Sequence, residues 1–238
     1  MPAQNTQYET RNTKQSHFPH HTSQVSAWLL TIGLLVTGIG AAFAPWIYRE
    51  PVALQLTAPG LAEFVKFLPE VRAVQIQIER LYFLAPLFMA MLTLPFFAVN
   101  NGLALPGWWR ALLRLAVVPL SLASLSPVWT PAILMSPEFR LQTLLAAAAM
   151  GLSVISPLFK ALPLKLLVIL LCLGGVVAIV LPAWQFGLIQ TSMENVYQES
   201  ISLGWGWWLT VGGVVLSLAG GIGAAFIWPG STRTPEGS

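Results

Sequence analysis

Aspartate is absent from the 238 residues, cysteine occurs once and histidine three times. Each shortage excludes a chemistry. A Ser-His-Asp triad cannot be assembled without Asp, and no GxSxG turn occurs. The lone Cys172 rules out a disulfide within the chain and any CxxC metal or redox motif. It sits in an apolar run and reads as a small buried hydrophobe. His17, His20 and His21 all fall in the polar N-terminal stretch. None is placed to ligate haem or chlorophyll in a helical bundle, and metal-dependent intramembrane proteolysis lacks its ligands. Glycine-rich phosphate loops are missing too, because Gly204-Trp205-Gly206 lacks a third glycine at the required place. No catalytic residue, no metal and no cofactor is expected.

Charge is the next shortage. Only 9% of residues are charged, 55% are hydrophobic and the mean hydropathy is +0.69. Soluble domains carry roughly 25% charged residues. So few charges cannot clothe a globule of this size, which leaves lipid to cover much of it. The net charge of +3 does not point to nucleic acid, because Lys and Arg stand singly at segment ends.

What the chain does have is long apolar runs. They predict an all-α integral membrane protein of six spans, at about 25–46, 81–99, 109–125, 141–159, 164–184 and 204–228. Each is near the roughly 20 residues that a ~30 Å hydrocarbon core requires. Residues 1–24 read as a disordered cytoplasmic tail, and 229–238 as a second, short one. Pro45 is a poor residue after the signal-peptidase-like Ala42-Phe43-Ala44, so the first span reads as an uncleaved anchor. Arg110, Arg114, Lys160 and Lys165 in short turns, with Arg11, Lys14 and Arg233 in the tails, set an N-in/C-in orientation. The expected location is a cell membrane, of bacterial inner-membrane type. All 10 tryptophans fall near predicted span ends, where an indole prefers the headgroup level.

No Asp, Glu, His or Lys stands at the middle of any span, which disfavours a proton or ion relay. Charge concentrates instead between the first two spans. Residues 48–80 hold four cations and four anions (Arg49, Lys66, Arg72, Arg80; Glu50, Glu63, Glu70, Glu79). There Thr57 and Pro59 begin a helix, and Leu61, Phe64, Val65 and Leu68 recur at helical spacing. They predict an amphipathic helix lying on the outer surface, its apolar face on lipid or on a partner protein. Burial of those four groups would contribute roughly 1.5–3 kcal/mol each. Val71–Arg80 is expected to resume the helix and run into the second span.

Small residues recur at intervals of four in two spans: Gly33, Thr37 and Ala41, and Gly213, Ser217, Gly221 and Ala225. Such stripes let helix backbones approach, within one chain or in a homo-oligomer. Pro86, Pro95, Pro119 and Pro157 permit kinks, for gating or by simple tolerance. Arg-Leu, Ala-Leu-Pro and Pro-x-Trp recur in order through residues 80–129 and 140–184, as in a duplicated hairpin, but the residues between do not align. The leading functional expectation is a non-enzymatic scaffold or accessory subunit of a membrane complex. The alternative is a permease-type protein for an apolar or lipid-like substrate, energised by a separate partner. An enzyme using Glu63 or Glu70 ranks third.

Overall fold

The computed structural model describes residues 19–49 and 54–227. The chain is mostly helical, and five helical stretches are long and apolar enough to cross a membrane: Gln24–Phe43, Arg80–Val99, Arg140–Phe159, Leu164–Tyr197 and Trp205–Phe226. The first belongs to α1 (Pro19–Phe43). Proline suits a helix start, and Ala44 is turned out of the helix because it precedes Pro45. Residues 19–24 are therefore helical where a tail was predicted. The remainder of both predicted tails lies outside the described residues.

After α1 comes a two-stranded antiparallel ribbon, β1 (Ile47–Arg49) and β2 (Leu54–Leu56), with Ile47 opposite Leu56. Nothing in the sequence announces it, because three residues are too few to display an alternating period. Then α2 (Ala58–Phe64) starts as predicted. Thr57 Oγ1 accepts from the Gly60 N–H at 3.3 Å, and Pro59 occupies the first turn. A 3-10 turn, Val65–Phe67, tightens its end, and α3 (Pro69–Arg72) is a single turn. The helix expected over Val71–Arg80 does not form. Val74 takes a φ of 59°, and the N–H groups of Gln75 and Ile76 fold back onto the Glu70 carbonyl, which closes the helix.

A 3-10 segment, Arg80–Leu84, leads into α4 (Ala85–Val99). Next come α5 (Gly107–Ala123), the single turn α6 (Pro131–Leu134), and α7 (Arg140–Ile155), which a 3-10 turn carries on to Phe159. The last two are α8 (Leu164–Tyr197) and α9 (Trp205–Ile222), the latter closed by a π turn at Gly223–Ile227. At 17 residues, with Arg110 and Arg114 inside it, α5 is not among the five stretches. Helix α8 is longer than predicted. Its 34 residues continue through Gln185–Tyr197, which the polar composition had marked as a connection. There Phe186, Ile189 and Met193 are buried at helical spacing, so protein rather than lipid covers that stretch. The extension also separates the apparent repeats, since Pro182-Ala183-Trp184 lies within α8 while Pro127-Val128-Trp129 follows the end of α5.

Helix α4 is the hub, packed on α1, α5, α7 and α8, while α9 packs on α1 and α8. Of the span Arg80–Val99, 72% is buried inside the protein, against 28% for Arg140–Phe159 and 33% for Leu164–Tyr197. The latter two form the apolar flank.

The closest helix pair is α1 and α9. Cβ atoms added at Gly213 would lie 2.5 Å from the Thr37 nitrogen and 2.8 Å from the Gly33 oxygen, so only glycine permits this approach. Gly33 in turn abuts Ser217, Gly40 abuts Thr210, Gly220 abuts Leu30, and Gly206 abuts Ala44 and Pro45. The contacts thus alternate by three and four residues rather than recurring at four. This 3.5-residue period is that of a left-handed supercoil. Ala41 and Ala225 are buried, but Gly221 faces the side chains of Leu30, Val168 and Leu171 instead of the α1 backbone. At the end that carries the ribbon, the N–H groups of Gly204 and Gly206 donate to the carbonyls of Trp46 and Pro45 (2.5 and 3.0 Å). Backbone donors at the start of α9 and acceptors at the end of α1 so satisfy one another.

Candidate functional site

The charged loop between α1 and α4 folds over one end of the bundle, and three of its side chains meet a fourth from the segment before α7. Glu63 comes from α2, Lys66 from the turn after it, Arg80 from the entrance to α4, and Glu138 from the segment before α7. Arg80 Nη1 donates to Glu63 Oε1 at 2.9 Å, and Nη2 donates to the Glu138 carbonyl. Lys66 Nζ lies 2.6 Å from Glu63 Oε2 and 2.6 Å from Glu138 Oε1. Phe139 underlies both cations, with its centroid 4.3 Å from the Arg80 guanidinium carbon and 5.1 Å from Lys66 Nζ. Two cations therefore share two carboxylates above one ring.

Burial pulls the Lys66 pKa down, but hydrogen bonds and charge from Glu138 and Glu63 outweigh it and hold the ammonium above its ordinary value. Neither carboxylate of the cluster stands apart from a cation as a general base would. Among the described residues, no three His, Cys, Asp or Glu side chains converge as metal ligands do.

Two pockets flank the cluster. One, of about 490 Å³, is lined by Lys66, Arg80, Glu79, Glu138 and apolar neighbours. The other, of about 440 Å³, lies between α2 and the outer ends of α5 and α7, and Pro59, Leu122, Trp129 and Gln142 line it. Gln142 is buried. Its Nε2 donates to the Ser124 carbonyl, whereas its Oε1 has no partner.

The predicted interfacial face turns inward. Leu61, Val65 and Leu68 are buried and join the cluster that holds Trp46, Ile47, Phe83 and Leu84. Phe64 is half-buried and stacks on Tyr197 at the far end of α8, with centroids 6.1 Å apart. Leu61, Val65 and Leu68 offer no free face to lipid or to a partner, and Phe64 is only partly exposed. The periodicity reveals an apolar face and not what covers it, and here the bundle covers it. Phe67 of this loop, by contrast, is 69% exposed. The spacing did not single out Glu138, whose partners lie 58 and 72 residues away, or Phe139 beside it.

The opposite end is built on backbone carbonyls. Arg110 donates to the oxygens of Leu105, Val99, Asn100 and Leu103, at 2.7–3.3 Å, and so caps the end of α4. Arg114 donates to Ser153 O at 2.9 Å, and Ser153 Oγ returns a bond to Arg114 O at 2.8 Å, tying α5 to the end of α7. Asn100 Nδ2 reaches Leu162 O at 2.9 Å.

The protein is thus of the class of helical bundles with several membrane-length helices, carrying a charge-balanced cluster at one end and carbonyl-bound arginines at the other. No family model matches the chain, and neither a curated protein nor a solved structure matches it.

Proposed function

We propose that the protein is a non-enzymatic, six-span, N-in/C-in subunit of a membrane complex, with α7 and α8 as its partner-facing flank. One observation carries this reading. Helices α7 and α8 are joined by a short turn at Lys160–Pro163, yet each packs on α4 and they barely touch one another. Between them runs a half-buried stripe of α4, Ala85, Leu92 and Phe96. Met89 beside that stripe abuts Gly174 of α8, and the Phe96 ring meets Phe159 at the end of α7, with centroids 5.6 Å apart. On α7, Ala147, Ala148 and Gly151 are exposed, and nothing lies within 4 Å of a Cβ built on Gly151. Small residues beside an open seam suit a second apolar helix, for which close packing is the driving force in lipid.

Six crossings are favoured because both ends of α5 are level with its neighbours. Arg110 binds the end of α4, and Ser124 receives the Gln142 bond from the start of α7. Orientation rests on Arg110, Arg114, Lys160 and Lys165 at one end. The permease alternative wants a polar cavity through the middle, whereas the pockets described here lie at the two ends of the bundle. A photoreactive residue at Gly151 or Leu92 tests the reading in native membranes. A discrete protein adduct from these sites, and none from Leu115 on α5, is the expected result. Lipid adducts alone from all three sites would refute it.

A further inference from the structure

At the inner end a pocket of about 290 Å³ opens between the end of α4, the start of α5 and the end of α7. Arg110, Arg114 and Lys160 line it, and no carboxylate does. Every described glutamate belongs to the outer end, and among the described residues none of the three cations forms an ion pair. Both guanidinium groups are held by neutral carbonyls, which orient them without cancelling a full charge. The outer cluster, by contrast, balances two charges of each sign. A positive-inside bias explains why cations lie on this side. It does not require three of them, two on α5 and one from the turn after α7, to share one concavity.

We propose that this pocket binds a phosphate ester, supplied in the membrane by the headgroup of an anionic phospholipid. Arg110 and Arg114 are the fixed donors, with Lys160 as the third charge. Guanidinium groups suit phosphate oxygens, and anionic lipid is concentrated in the cytoplasmic leaflet. The neighbouring surface fits the rest of such a molecule. Leu115, Val154 and Leu158 are 70%, 73% and 80% exposed, along the two helices that flank the pocket. Acyl chains would lie on them while the headgroup enters. This site is independent of any partner at the α7–α8 seam.

The test uses the full-length protein, exchanged into equal amounts of phosphatidylglycerol and phosphatidylcholine, with retained lipid counted by native mass spectrometry. Retention of phosphatidylglycerol should exceed that of phosphatidylcholine by at least about tenfold, and Lys160→Gln should cut the excess by about fivefold, at ~1 kcal/mol per cation. Arg114→Gln should do the same, and Arg114→Lys should restore most of the excess. Should Arg114→Gln fail to fold, Lys160→Gln decides alone, since its ammonium forms no ion pair. Inorganic phosphate is titrated in parallel. Displacement of the lipid at millimolar phosphate, with the same sensitivity to Lys160→Gln, would keep the pocket and assign it to a soluble phosphate. Equal retention of the two lipids, or an unchanged excess in a Lys160→Gln variant that melts like the parent, would overturn the proposal.

Discussion

Replacing Gly213 by alanine tests the contact on which the α1–α9 pair depends. The added methyl would sit 2.5 Å from the Thr37 nitrogen, 2.7 Å from its Oγ1 and 2.8 Å from the Gly33 oxygen. Ordinary carbon contacts need about 3.5–4.0 Å, so the two backbones must part by about 1 Å. Two of the three atoms are main chain and cannot rotate away. Overpacking of this kind costs roughly 1–3 kcal/mol, and alanine returns about 1 kcal/mol of helix propensity. The net expectation is a loss of up to about 2 kcal/mol. Gly212 supplies the control. It precedes Gly213 on the same helix, is exposed, and has nothing within 4 Å of a built Cβ. Gly212→Ala should therefore stabilise, by up to about 1 kcal/mol. Unfolding in mixed detergent micelles, followed by circular dichroism, reads both. Adjacent substitutions of one chemical type should move the midpoint in opposite directions. If Gly213→Ala and Gly212→Ala shift it alike, the close approach does not exist and the reasoning fails.

Further outcomes follow from the charged cluster and its loop. Arg80→Ala removes a side chain only 10% exposed, leaves the Glu138 carbonyl without its donor and Glu63 with Lys66 alone, and should cost about 2–3 kcal/mol. Lys66→Ala, at 32% exposure, should cost under about 1 kcal/mol, and comparable losses in a denaturant series would contradict the network. Val74 is 72% exposed in a left-handed conformation that suits asparagine or glycine. Val74→Asn should raise the melting temperature, by about 1 kcal/mol of relieved strain, and a lower one would count against the φ assigned to it. The folded-state pKa of Lys66 lies above the 10.5 of a free lysine, so its contribution is complete below pH 10.5 and is lost as pH rises through the folded value. The stability difference between the parent and Lys66→Met should accordingly stay constant from neutral pH to about 10 and shrink only beyond it.

How much of this was legible depended on what covers each segment. Long apolar helices announce themselves by composition whatever covers them, and those at Arg80–Val99 and Arg140–Phe159 begin and end within a residue of the apolar runs. The extension of α8 past Trp184 was hidden because Phe186, Ile189 and Met193 contact protein, so polar residues fill its other faces as in a soluble helix. Leu61, Val65 and Leu68 showed the converse. Their period was plain, but a face buried under its own bundle and a face laid on lipid have one pattern. The glycine stripes were visible, whereas the alternation that selects Gly220 over Gly221 depends on the supercoil and appears only in three dimensions. Glu138 could not be assigned to Lys66 and Arg80 by any local rule, because loop topology alone brings them together.

The pairing of α1 with α9 joins the first and last described helices of the chain, and this has a consequence for biosynthesis. The glycine-lined side of α1 emerges early and has no permanent neighbour until α9 follows. The 180 residues between Gly33 and Gly213 take roughly 10–40 s to synthesise at ~5–20 residues per second. Throughout that interval the glycine-lined side of α1 waits for its partner, while its other sides can already dock on α4 and α5. Truncation before Trp205 therefore leaves α1 without its partner rather than merely shortening the protein.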